Sequence, residues 1–196
     1  MSVIGNLARV TEGQLADLKR TPAAITGLFY PDLAETAAPT RRGLWARLFG
    51  KKASAPAPTT RIGVLGDEDQ TDLDKAWHTL HFLFTGSAWD GDFPQGFLVS
   101  CGAPIGDVDV GYGPARGFTA AEVAEISRYL ESIDRDQLRA SLDPKKIIEA
   151  EIYPNFGSDG PISDEDWEYI GGAFDQAREF LRETSKRKMA LLVYLN

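Results

Sequence analysis

The chain has 196 residues, 43% apolar and 26% charged, which are ordinary globular values and allow a full core without disulfides or metal. A formal net charge of −8 argues against nonspecific binding to DNA or RNA, which needs clustered Lys and Arg against the phosphates, and permits a basic protein partner. A single cysteine, Cys101, excludes an intramolecular disulfide and any multi-cysteine zinc site.

Taken in order, residues 2–10 read as a strand with Gly5 as a bulge candidate. Thr11 and Gln14 form a capping box that opens a short helix to about Lys19, and Thr21-Pro22 opens another to Phe29. Leu15, Leu18, Ile25, Leu28 and Phe29 supply their buried faces. Residues 37–60 change character, with five basic residues, no acid between Glu35 and Asp67, and an Ala/Pro/Thr tail. This segment reads as an insertion or flexible loop that lies back on the acidic domain through charge and Trp45. Leu44, Trp45, Leu48 and Phe49 share one face of a short helix, so 41–52 also offers weak membrane-surface contact.

Residues 61–65 are a strand candidate. The stretch 72–86, DLDKAWHTLHFLFTG, predicts the central packing helix, with Leu73, Ala76, Trp77, Leu80, Leu83 and Phe84 facing the core. Residues 97–101, FLVSC, read as a buried strand, which makes Cys101 an inert packed thiol. The glycine-rich 102–117 reads as loop. Thr119 and Glu122 cap a helix to about Ile133, and two shorter helices follow from Asp134 and Asp143-Pro144, the second with Ile147 and Ile148 inward. Ser163 starts the longest helix, whose Gly171-Gly172 predicts close packing against a neighbour. Residues 189–195, MALLVYL, read as a central strand covered on both faces. Strands near both ends with helices between them predict an α/β fold: one domain, 1–196, with a mixed sheet, helices packed on it, and the N- and C-terminal strands in the same sheet.

Three constellations could carry chemistry. On a helix, Asp74, His78, His81 and Thr85 form one stripe on the flank of the core face. Asp74 could orient a histidine general base, or the pair of histidines could share a metal. With two histidines in the chain and no HExxH, no metal site is expected. In the second, Tyr112-Gly113-Pro114-Ala115 delivers Arg116 just before a helix N-terminus, where it could hold a carboxylate or phosphate, or simply pair with an acid. Third, Glu149-Ala150-Glu151-Ile152-Tyr153-Pro154 could add acids and Tyr153 to a pocket. No P-loop, dinucleotide fingerprint or G-x-S-x-G is present.

These three stretches, D-L-D-K-A-W-H-x-L-H-F-L-x-T-G at 72–86, G-Y-G-P-A-R at 111–116 and E-I-Y-P at 151–154, resemble the YfbM-like family, a bacterial domain of unknown function. The resemblance covers most of the chain except about 37–60. The family pattern falls on Asp74, Lys75, Trp77, His81, Thr85 and Gly86, then Tyr112, Gly113, Pro114, Ala115 and Arg116, then Tyr153 and Pro154. Position 78 need not be histidine in that pattern, which leaves His81 as the better site candidate. Asn155-Phe156 departs from it, because an aromatic, often tryptophan, usually follows the proline closely. The resemblance implies a compact α/β fold and no established reaction.

The sequence therefore supports two readings. One is a cytoplasmic, non-catalytic protein-binding module, monomeric or a small homo-oligomer, that neutralises a basic partner as immunity proteins do. The other is a small-molecule-binding or hydrolytic enzyme with no cofactor. Its cleft would gather Asp74 and His81 as catalytic candidates with Arg116, Tyr112, Tyr153 and Thr85 as ligand contacts. The two differ in whether those side chains share one pocket.

Overall fold

Two apolar runs far apart in sequence meet at the centre of the molecule. Strand β1 (Gly5–Val10) pairs antiparallel with β5 (Ala190–Leu195), from Gly5 opposite Leu195 to Val10 opposite Ala190. A computed structural model describes residues 2–29, 65–158 and 160–196. The remaining strands are β2 (Gln70–Asp72), β3 (Ala103–Asp109) and β4 (Pro114–Phe118), and the sheet order is β2-β1-β5-β4-β3. Both terminal strands lie in one sheet, as expected. All four pairings are antiparallel where a mixed sheet was expected, since no β-α-β crossover links neighbouring strands.

Alternation along β1 and β5 separates two cores. Ala8, Val10, Ala190, Leu192 and Tyr194 face one side, against Leu15 and Leu18 of α1 (Glu12–Arg20) and Ile25 and Leu28 of α2 (Ile25–Phe29). Leu7, Leu191 and Val193 face the other. There they meet α3 (Ala76–Thr85), α4 (Ala120–Ser132) and α7 (Asp164–Lys186), through Trp77, Leu80, Ile126, Ile170, Phe174 and Leu181. The short helices α5 (Arg135–Ala140) and α6 (Pro144–Glu149) join α4 to α7. The sheet is thus covered on both faces, which accounts for the uninterrupted apolar run of β5. The capping boxes at Thr11, Thr119 and Ser163 all form, and Asp134 and Asp143 cap α5 and α6.

Several local expectations change. Residues 103–118 form a hairpin rather than a loop, because the Asp109 carboxylate accepts from Gly111 N at 2.8 Å and Gly113 N at 3.0 Å and closes the turn. Those two bonds hold the Asp109 carboxyl below its ordinary pKa. Residues 97–101 are not a strand; a 3-10 turn, Gln95–Leu98, leads into a loop. Asp72 ends a strand, and α3 begins only at Ala76. In α6, Ile147 is buried but Ile148 is 44% exposed, since neighbours on a helix point 100° apart. Gly171 accommodates the Arg135 guanidinium, which also bridges Glu168 and Asp175, whereas nothing approaches Gly172 and its presence has no structural explanation. The segment 37–60, with Trp45, and residues 61–64 lie outside the described residues.

Gly5 is paired in register and makes no bulge. It is glycine because α3 presses on it: a Cβ there would sit 2.4 Å from the Trp77 Cβ. Gly5→Ala should therefore lose about 1–3 kcal/mol in urea denaturation through overpacking against an atom that cannot swing away. Gly13→Ala, whose Cβ would meet only the Thr11 hydroxyl at 3.9 Å, should be neutral or stabilising in the same measurement.

Candidate functional site

Arg116 stands on β4 between Ala115 and Gly117 and points to the α3 side of the sheet, as does Phe118. Its guanidinium is partly buried. Nη1 donates to the carbonyls of Cys101 (2.7 Å) and Phe97 (3.3 Å), and Nη2 donates to that of Leu98. A buried backbone carbonyl must find a donor, and here a side chain supplies what a neighbouring strand would have given. That is why the apolar run 97–101 is free not to be a strand. No carboxylate among the described residues pairs with Arg116. Burial lowers its pKa to about 10, with the Cys101 thiol acting the other way. Cys101 is half-buried in a loop rather than packed in a strand, its Sγ 3.4 Å from the Gly91 carbonyl.

His81 projects from α3 into the core with no solvent exposure, and neither ring nitrogen closes a hydrogen bond. Burial drives its pKa down to about 4. The fields of His78 and Arg116 add to that shift, while the backbone and charge of Asp90 oppose it without closing a bond of good geometry. The ring is therefore neutral at physiological pH.

His78 is the more occupied histidine. Its Nε2 donates to the Ala88 carbonyl at 2.8 Å, and its Nδ1 accepts from Tyr153 N at 3.1 Å, a pair of partners that defines the tautomer. It fastens the loop after α3 to the segment after α6, and Trp89, 59% exposed, lies over it with ring centroids 4.4 Å apart. Burial lowers its pKa as well. Both nitrogens are spent on backbone, so His78 has none left for a metal. The family pattern ranks it below His81, since position 78 need not be histidine there, and its hydrogen bonds to distant backbone leave no trace in residue spacing.

The other candidates fall elsewhere. Asp74 precedes α3 in a left-handed conformation, φ 42°, so it leaves the helical stripe and its carboxylate turns to Tyr169. The Tyr169 hydroxyl accepts from Lys75 N at 3.0 Å, and its pKa is raised to about 12, chiefly by burial. Tyr153 stands on this same side: its hydroxyl accepts from Val3 N at 3.3 Å and its ring faces Trp77. Thr85 closes the end of α3, hydrogen-bonding the carbonyls of His81 and Ser87 and accepting from Ser87 N. Arg116 and Tyr112 do come together. With Val99, Pro104, Pro114, Tyr194 and Leu195 they line an open cleft of about 360 Å³ at the end of the hairpin. Of Asp74, His81, Arg116 and Tyr153, only Arg116 lines this cleft. The described residues contain no cluster of three metal-ligating side chains.

Sheet, helices and buried arginine together define an α/β protein whose chemistry-bearing residues are mostly engaged in holding loops. The chain belongs to the family described as "Domain of unknown function (DUF1877)", whose model matches residues 1–194. Among solved structures, a crystal structure of YfbM from Escherichia coli, a protein of unknown function, is similar in fold, with a TM-score of 0.58 and 20% identity. The similarity covers 98% of this chain and 99% of that one. No curated protein matches the chain significantly.

The histidines make stability pH-dependent in a definite direction. The His81 pKa is lower folded, about 4, than unfolded, about 6.5, so the unfolded chain binds more protons between those values. Its contribution is complete above pH 6.5 and is lost as pH falls towards 4, on the order of 3 kcal/mol in all, and His78 acts in the same direction. Urea denaturation of wild type and His81→Leu from pH 7 to 4 should show the variant gaining on wild type by about that amount. Parallel profiles would mean that His81 is not held neutral. Arg116→Met should cost about 3 kcal/mol or more at neutral pH, because it orphans three carbonyls.

Proposed function

We propose that the chain is a non-catalytic protein-binding module. The state of His81 carries this reading. A general base needs a pKa near the working pH and access to substrate, and His81 has neither: it is sealed, and its pKa is about 4. Its expected orienting partner, Asp74, faces Tyr169 instead. Without those two residues a hydrolytic centre at Arg116 lacks a base.

The partner class follows from charge. The chain carries −8, and Asp67, Glu68 and Asp72 stand exposed around β2. The adjoining helix α7, tied to β2 by Gln176 and Thr71 at 2.6 Å, exposes Glu165 about three turns further towards its N-terminus, where Asp164 pairs with Arg139. Such a surface fits a basic protein, captured in the cytoplasm in the manner of an immunity protein. No helix among the described residues is long and apolar enough to cross a membrane.

Immobilised protein exposed to lysate of the producing cells should retain one or a few basic proteins, released as salt rises from about 50 to 500 mM because the attraction is screened. His81→Leu should retain the same set. Retention of nothing, of acidic proteins only, or in a salt-independent way would overturn the reading. So would turnover of any ester, amide or phosphate substrate that His81→Leu abolishes.

A further inference from the structure

The cleft at the end of the hairpin is a feature that the protein-binding reading leaves unused. Its walls come from three strands and one loop: Pro104 of β3, Pro114 and Arg116 of β4, Tyr194 and Leu195 of β5, and Val99, with Tyr112 at the hairpin turn. Tyr112 is 47% exposed, so the mouth is open, and its backbone N donates to the Leu195 carbonyl at 3.0 Å, which fixes the turn to the central strand. At about 360 Å³ the cleft falls in the range that encloses small organic ligands, and, with the Tyr194 ring turned to the opposite face onto Phe29, five others of its seven lining residues offer hydrocarbon or an aromatic ring.

The seventh is a cation held in a fixed pose. Three of the five N–H groups of Arg116 are committed to the carbonyls of Phe97, Leu98 and Cys101. Those acceptors satisfy hydrogen bonds but bring no negative charge, and no carboxylate among the described residues pairs with the guanidinium. Of the other described arginines, Arg9, Arg20, Arg135, Arg139, Arg178 and Arg182 each have an Asp or Glu within 4 Å, and Arg128 and Arg187, which have none, stand exposed to water. In a chain with an excess of acids, a partly buried arginine left without one beside an apolar cleft is a ready anchor for an anion from outside.

We propose that this cleft binds a small organic carboxylate with an apolar or aromatic body. The carboxylate would take the Nε–H and the remaining Nη2–H of Arg116, and the body would lie against Val99, Tyr112, Pro114 and Leu195. The preorganised guanidinium loses little side-chain freedom on binding, and burial of the apolar body adds to the affinity. This inference is independent of the partner protein, because the test below reads a small molecule on the isolated chain.

Isotope-labelled protein titrated with benzoate, benzamide, benzylammonium and inorganic phosphate distinguishes the alternatives by amide chemical shifts. Benzoate should bind saturably with shifts at Val99, Tyr112, Arg116 and Leu195, and benzamide about tenfold more weakly, since it keeps shape and loses charge. Benzylammonium should not compete. Tyr112→Ala, an exposed position that should leave the fold intact, should weaken benzoate about threefold or more through lost apolar contact. Arg116→Lys keeps the charge but loses the fork, and should weaken benzoate further wherever the variant folds. Equal affinity for benzoate and benzamide would overturn the anchor role of Arg116. Phosphate binding as tightly as benzoate would overturn the apolar body, and shifts confined to surface lysines, or no saturation at millimolar benzoate, would overturn the site.

Discussion

The pairing of β1 with β5 is the constraint on which the rest of the molecule depends. Six residues from near one end of the described chain meet six from near the other in unbroken register. Because both strands are central, each side chain along them is committed to one of two cores, and a slip by one residue would exchange the cores. The backbone link from Ile4 N to the Asn196 carbonyl, 2.7 Å, and its reciprocal extend the ladder past the strand ends. With that pair in place, β2 and β4 add to its two open edges, and α1 with α2 and α3 with α4 and α7 are left one face each to cover.

On the larger face, polar interactions attach the irregular segments to this frame. Arg116 holds 97–101, His78 holds the loop at Ala88 and the segment at Tyr153, and Tyr169 receives Lys75 N beside Asp74. In each case a side chain from a regular element bonds the backbone of an irregular one. The residues that looked most chemical are therefore largely spent on structure. The exception is the far side of Arg116, where a cleft and an uncompensated charge coincide. The His81 ring contributes no hydrogen bond. It is a buried base kept neutral by the medium around it, and the core is tolerant of it only while the solution is not acid.

Much of the architecture was legible in the sequence because it rests on local rules. Capping boxes at Thr11, Thr119 and Ser163 mark helix starts with hydrogen bonds between residues three apart, and the unbroken apolar run of β5 states its burial outright. The hairpin was missed because its glycines looked like loop, while the bonds from Asp109 to Gly111 and Gly113 that close it are a turn signal easily passed over. FLVSC was misread because its carbonyls are satisfied by Arg116, 15 to 19 residues away, through an interaction that no periodicity encodes. The Asp74 stripe failed on a single backbone angle: one left-handed residue moved the helix start past it. The cleft was half legible, since Tyr112 and Arg116 were both singled out, but its apolar walls come from three separate stretches brought together by the sheet.

The grip of Arg116 on residues 97–101 has a consequence for how the chain can change over generations. The guanidinium touches only carbonyl oxygens, which every amino acid carries, so it is blind to the side chains of the loop it holds. Val99, whose carbonyl it does not use and whose half-buried side chain lines the cleft, is free to drift and reshape that wall without loosening the loop. Variation is thereby allowed at the rim where ligand selectivity would be set, while the one residue that must not change sits on the strand behind it.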